Sequence, residues 1–187
     1  MDRDRLVDVG VALVSRFGAK ALSLTSVARQ AGVARATAYR MFGGRDALVD
    51  AIMSREMEQL RQQMLQWGAD QPDPAMRIRE RVKGSLAYIR EHEALQYVLR
   101  NEPEEVVRAL ISPAPEASDK ASHRSLIGMI TDTAVPDVRD DEAAVLYPSV
   151  RGGSEFMVRI VYSCMLVPES SMTDDEIADL VVRAVVR

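Results

Sequence analysis

The sequence predicts an all-α chain in two parts, an N-terminal three-helix helix-turn-helix domain over residues 1–46 and a helical body over residues 47–187. Three observations predict it. Apolar residues recur three and four positions apart along most of the 187-residue chain. Prolines and glycines fall between those runs, where helices end. Alternating β-branched runs of strand length are scarce.

Taken in order, Leu6, Val7, Val9, Gly10, Leu13, Val14 and Phe17 repeat at helical spacing, and Gly18 stands where a C-cap belongs. Residues 24–42 read LTSVARQAGVARATAYRMF and divide into two short helices at Gly32. Thr25 or Ser26 supplies a hydroxyl to cap the first of them. Gly32 suits a left-handed turn, which costs a residue bearing a Cβ about 1 kcal/mol or more. A 22-residue stretch over 46–67 places Leu48, Ile52, Met53, Met57, Leu60, Met64 and Trp67 along one stripe, as a long helix would.

Residues 68–74, with Pro72 and Pro74, read as a loop. Met76, Ile78, Val82, Leu86 and Ile89 mark a helix ending near His92. Leu95, Val98 and Leu99 mark a short one, and Pro103 starts another carrying Val106, Val107, Leu110 and Ile111. Residues 112–118, with Pro113 and Pro115, read as a mobile loop. Leu126, Ile127, Met129 and Ile130 belong to a helix that ends before Pro136. A short helix reaches Tyr147, and a longer one follows with a weak point at Gly152-Gly153, since glycine costs about 1 kcal/mol inside a helix. The last helix starts from a cap at Thr173, with Asp174, Asp175 and Glu176 in the first turn, where the helix dipole favours acids.

The second short helix of the pair carries the chemistry. Arg35, Thr37, Tyr39 and Arg40 supply hydrogen-bond donors, and Ala34, Ala36 and Ala38 keep the remaining surface low. A DNA major groove about 12 Å wide admits one such helix. An ordinary αα-hairpin needs only the same glycine turn, so the residues alone leave both readings open.

With the helix before it and Gly43-Gly44-Arg45-Asp46-Ala47-Leu48 after it, this stretch resembles the TetR family of transcriptional regulators. Thr25, Val27-Ala28, Ala31-Gly32-Val33, Thr37, Tyr39, Phe42 and Leu48 stand at the spacing of the family pattern. Ala34 departs from the family's capping serine, Ala36 and Ala38 from its glycine and leucine, Met41 from its aromatic, and Arg45-Asp46 from its Lys-Glu pair. The resemblance covers about the first quarter of the chain. It implies a sequence-specific DNA-binding regulator, a repressor that binds double-stranded DNA at a pseudo-palindromic operator as a homodimer and is released by a small-molecule effector. The DNA contacts it implies are Thr25, Ser26, Arg35, Ala36, Thr37, Tyr39, Arg40 and Arg45.

Charge distribution fits. Residues 1–50 carry eight basic side chains against five acidic ones, so the remainder of a chain of net charge −4 is −7. A basic head on an acidic body suits one end that meets phosphates. The single cysteine, Cys164, excludes an internal disulfide and any CxxC motif, and its apolar neighbours read as those of a buried thiol. Neither histidine, His92 nor His123, stands at ligand spacing from other donors, so no metal and no cofactor is expected. No GxSxG, P-loop or GxGxxG motif occurs, and no enzyme is expected. No signal peptide or membrane-spanning run is legible, and the expected location is the cytoplasm.

Within the body, methionine and sparse aromatics make adaptable apolar linings, which points to Met57, Met64, Tyr88, Met129, Tyr147 and Phe156, with Arg151 as a polar handle, for an apolar or amphipathic effector. Arg151 and Glu155 are spaced one turn apart, as a surface ion pair would be. The last two helices hold more apolar surface than one core needs. Met157, Val161, Met165, Ile177, Leu180, Val181 and Ala184 are the expected dimer contacts, in a four-helix interface between two copies. The competing reading is a helical small-molecule-binding or protein-interaction module whose helix-turn-helix is scaffold.

Overall fold

The computed structural model describes residues 3–110 and 125–187, so the expected loop at 112–118, Ile111 and His123 lie outside the described residues. The described residues form α1 (Arg3–Phe17), α2 (Leu24–Ala31), α3 (Arg35–Phe42), α4 (Arg45–Gln66), α5 (Pro74–Glu91), α6 (Glu93–Asn101), α7 (Pro103–Leu110), α8 (Leu126–Ala134), a 3-10 turn at Val135–Asp137, α9 (Asp140–Val145), α10 (Val150–Leu166) and α11 (Asp174–Val185). The only extended pairing among them is an isolated antiparallel bridge between Leu146 and Val186, so the chain is all-α. No helix among the described residues is long and apolar enough to cross a membrane.

Contacts divide the chain into two compact units, one of Met1–Gln59 with His92–Val107 and the other of Leu60–Glu91 with Arg108–Arg187. In the first, Leu6, Val7 and Leu13 of α1 meet Val27, Ala28 and Ala31 of α2, Ala38 and Phe42 of α3, and Leu48 and Ile52 of α4 in one core. Four amphipathic faces thus close on each other, each buried aliphatic side chain contributing about 1.5–3 kcal/mol. Segment 92–107 joins this unit because α6 packs against α1. His92 caps α6, its Nδ1 accepting the Leu95 N–H at 3.2 Å, while its Nε2 lies 2.6 Å from Glu56 Oε2.

In the second unit, Ile78, Val82 and Leu86 of α5 pack on Ile177, Ala178, Val181 and Val185 of α11, with Leu146 closing the cluster. A charged knot fastens α9 to α5. Glu142 is fully buried, and its carboxylate accepts from Arg77 Nε at 2.8 Å and Arg81 Nη1 at 2.9 Å. Arg77 also donates to Asp141 and to the carbonyls of Gln71 and Pro72 at 2.7 and 3.0 Å, which holds the loop ahead of α5. Burial pushes the Glu142 carboxyl upward, but the hydrogen bonds from Arg81 and Arg77 together outweigh it and leave the group below its usual range.

Local details differ from the sequence reading at two points. Pro74 is the first residue of α5 and not part of the loop, because the first helical position needs no N–H. Gly152-Gly153 do not weaken α10 midway; they lie in its first turn, where Ser149 Oγ accepts the Gly152 N–H at 3.0 Å. A Cβ at Gly153 would come within 3.1 Å of Leu146 and 3.2 Å of the Tyr147 carbonyl, so the close approach explains the glycine.

Candidate nucleic-acid interface

The reading pair is set by local chemistry at each of its ends. Ser23, in extended conformation, caps α2: its Oγ accepts the Ser26 N–H at 3.0 Å and Ser26 Oγ accepts the Ser23 N–H at 3.0 Å, a reciprocal capping box. The cap is therefore neither Thr25 nor Ser26, the two residues the sequence favoured; Thr25 stands exposed in the first turn, and Ser26 is the partner inside the helix. Two hydroxyls three positions apart satisfy each other, and that pairing sets the boundary one residue before Leu24. Gly32 ends α2 at φ +70°, with Val33 N–H reaching back to the Ala28 carbonyl at 2.9 Å.

Helix α3 starts from Ala34, which has no side chain to offer the first-turn N–H groups. Ala38 and Phe42 on one face are buried in the head core. Ala38, expected to help keep the outer surface low, faces inward instead, fully buried. The opposite face carries Arg35, Ala36, Tyr39 and Arg40, all exposed, with Thr37 half-buried at its margin. Arg35 Nη2 donates to Tyr39 Oη at 3.1 Å and its guanidinium lies 4.9 Å from the centre of the Tyr39 ring. That cation–π contact and hydrogen bond hold both side chains on the outer face. Arg3 stacks over the Phe42 ring at 5.0 Å.

Arg45 opens α4 and is tied at home: its Nε donates to the Leu22 carbonyl at 3.0 Å and its Nη2 to the Ala19 carbonyl at 3.2 Å. It fastens the turn between α1 and α2. A second group on that turn, Glu102, was not singled out by the sequence, since it comes from the end of α6.

The body residues named from sequence fall in both units. Met57 belongs to the first unit and the others to the second. Met64, Tyr88 and Met129 are half-buried, whereas Tyr147, Arg151 and Phe156 are exposed. Tyr88 meets the edge of Trp67, ring centres 6.0 Å apart, and Arg187 stacks over Tyr147 at 3.7 Å. Arg151 pairs with Asp132 rather than with Glu155, which is taken by Arg159 at 2.6 Å. Of the residues named for the dimer, Ile177 and Val181 face the unit's own core, Met165 is buried, Met157 and Val161 are half-buried, and Leu180 and Ala184 are exposed. Cys164 is half-buried, and burial pushes its thiol up. No group of three or more His, Cys, Asp or Glu side chains that could hold a metal ion occurs among the described residues.

A short helix with an exposed basic and hydroxylic face, locked at a glycine turn to a capped partner and followed by a helical body, defines a helix-turn-helix fold. Residues 6–52 match the family model described as bacterial regulatory proteins, tetR family. An uncharacterized HTH-type transcriptional regulator of Mycobacterium tuberculosis is 32% identical over 92 residues, 49% of this chain and 46% of that relative. The chain thus spans about half the length of the curated relatives it matches.

Among solved structures, the TetR family repressor AlkX from Dietzia sp. strain DQ12-45-1b, implicated in biodegradation of n-alkanes, superposes at a TM-score of 0.67 over the whole of both chains, with 20% identity. RolR in complex with resorcinol superposes at 0.63, covering 98% of this chain and 86% of RolR, with 14% identity. Residues 6–52 thus carry the family match, and over the rest of the chain these structures show a shared fold.

Proposed function

We propose that the protein is a homodimeric transcriptional repressor that binds a pseudo-palindromic operator and is released from it by a small apolar or amphipathic effector. The single observation that carries the DNA-reading part is the outer face of α3: Arg35, Ala36, Tyr39 and Arg40 exposed together while Ala38 and Phe42 pin the opposite face. Residues 1–46 read DNA and residues 47–187 bind the effector and dimerise; the operator places the protein in the cytoplasm.

Thr37, Tyr39 and the uncapped first turn of α3 serve phosphates, a role for which an uncapped helix N-terminus is suited. Arg35 and Arg40 read base edges, with guanine O6 and N7 as the natural acceptors for a guanidinium. Arg45, already bound to two carbonyls, acts chiefly by holding the turn ahead of α2. Thr25 and Ser26, at the start of α2, complete the phosphate-facing edge. The family neighbours support an effector of modest size: RolR was crystallised with resorcinol, and AlkX is tied to n-alkane degradation.

The test is binding of a selected operator by fluorescence anisotropy. Arg35→Ala and Arg40→Ala should each weaken it by about 1–3 kcal/mol and relax preference at one base position, whereas Tyr39→Phe should weaken all duplexes alike. Unchanged operator affinity in both arginine variants sinks the assignment. An effector that tightens DNA binding on titration would make the protein a corepressor-dependent one instead.

A further inference from the structure

Glu102 lies 83 residues from the turn it contacts and only 7% of it is exposed. It closes α6, its N–H donating to the Val98 carbonyl at 2.8 Å. Its carboxylate turns toward the stretch between α1 and α2. Oε2 accepts the Ala19 N–H at 2.7 Å and the Lys20 N–H at 3.3 Å, and Oε1 lies 3.4 Å from the same Lys20 nitrogen. Gly18 makes this possible. Its φ of +83° turns the chain out of α1, and a Cβ there would overlap Glu102 Oε1 and lie 2.6 Å from the carboxyl carbon.

The same turn is held from its other side. Arg45 takes the carbonyls of Ala19 and Leu22, so the backbone donors of residues 19–20 go to a carboxylate and the acceptors of 19 and 22 go to a guanidinium. Lys20 adds an ion pair to Glu104, in the first turn of α7. Ser23, directly after Leu22, is the cap from which α2 departs, and α2 packs on α3. The direction of the reading pair is therefore fixed by one group from α4, which follows the pair directly, and one from α6, which does not.

We infer that Glu102 is a positioning residue for DNA reading: it sets the exit of α2 from α1 and, through α2, the pose of the outer face of α3. The inference rests on the DNA-reading function proposed above. Charge-assisted hydrogen bonds from backbone N–H groups are shorter and stronger than neutral ones, and both of these N–H groups donate to the Glu102 carboxylate. Without the carboxylate the turn loses its two backbone anchors on that side and is left with Arg45 and the exposed Lys20–Glu104 pair, so α2 gains freedom to pivot about its cap.

The test uses the full chain. Anisotropy titrations against a selected operator and against a scrambled duplex of the same length and salt compare wild type, Glu102→Ala, Glu102→Gln and, as a control on the exposed end of α5, Glu91→Gln. Hydrogen exchange at the Ala19 and Lys20 amides and thermal unfolding accompany them. The operator-to-scrambled ratio should fall roughly tenfold in Glu102→Ala, the scale of losing one or two charge-assisted hydrogen bonds. Glu102→Gln, whose amide oxygen still accepts, should recover most of the ratio, and the two amides should lose protection in the same order.

A merely structural residue would lower the melting temperature and leave the ratio of the folded protein unchanged; that result overturns the inference. If Glu102→Ala does not fold, a wild-type ratio in Glu102→Gln together with deprotected amides overturns it equally. A wild-type protein that prefers no duplex overturns the DNA-reading function itself, and the role of Glu102 with it.

Discussion

Ala34 and Glu142 illustrate how single side chains set this molecule's margins. At Ala34 the backbone already adopts the extended conformation of an N-cap, and no side chain accepts from the first turn of α3. Ala34→Ser should therefore raise stability by about 1 kcal/mol, read as an upward shift of the denaturant midpoint at constant slope. Glu142 has the opposite character: fully buried, it is tolerable only because Arg77 and Arg81 neutralise it. Arg77→Met leaves that carboxylate half-compensated and frees two loop carbonyls, so about 3–5 kcal/mol should be lost in urea unfolding. The helix-turn-helix signals were legible residue by residue, because Gly32 and Ala34 act on neighbours a few positions away. Ser23 was missed as a cap since two other hydroxyls follow it closely. Glu142 and Glu102 were missed since partners some sixty and eighty residues distant leave no local trace.

Helices α5 and α11 carry an ion-pair seam over their apolar contact. Arg79 Nε and Nη2 bond Asp179 and Asp175, each at 2.6 Å; Lys83 meets Asp175 at 2.8 Å, and Arg90 meets Asp174 at 2.5 Å. Lys83 and Arg79 hold the Asp175 carboxyl below its ordinary range, and Arg90 does the same for Asp174. These aspartates bind protons more weakly in the folded chain than in the unfolded one. Their contribution is therefore complete above the unfolded value near pH 4 and declines as the pH falls through it toward the lower folded values. Urea midpoints should be flat between about pH 7 and pH 5 and drop below about pH 4, and the drop should shrink in Asp174→Asn/Asp175→Asn. The helices themselves were legible from apolar spacing, the Thr173 cap included. Their pairing was not, because periodicity reports which face is buried and not against which partner. For that reason Ile177 and Val181, assigned to an interface between copies, turn out to serve the core beside α5.

At the scale of the whole molecule, the proposed dimer draws on the outward apolar side chains of α10 and α11. Leu180 of α11, named for that interface, is 51% exposed. Leu180→Lys should shift a dimer toward monomer in sedimentation velocity while leaving the helical circular dichroism unchanged, since half of the residue faces outward and it is not one of the buried core residues. The all-α class and the helix-turn-helix head were readable from the sequence, as strong periodicity and turn chemistry made them. The association of segment 92–107 with the head was not, since it depends on α6 lying against α1. The account as a whole stands on DNA reading by α3, and selection of bound sequences from a random duplex pool by the purified protein at near-physiological salt tests it most directly. The account predicts a pseudo-palindrome with two half-sites one helical turn or a multiple of it apart, lost when Arg35 and Arg40 are both replaced by alanine. A folded, dimeric protein that enriches no sequence from the pool would contradict it.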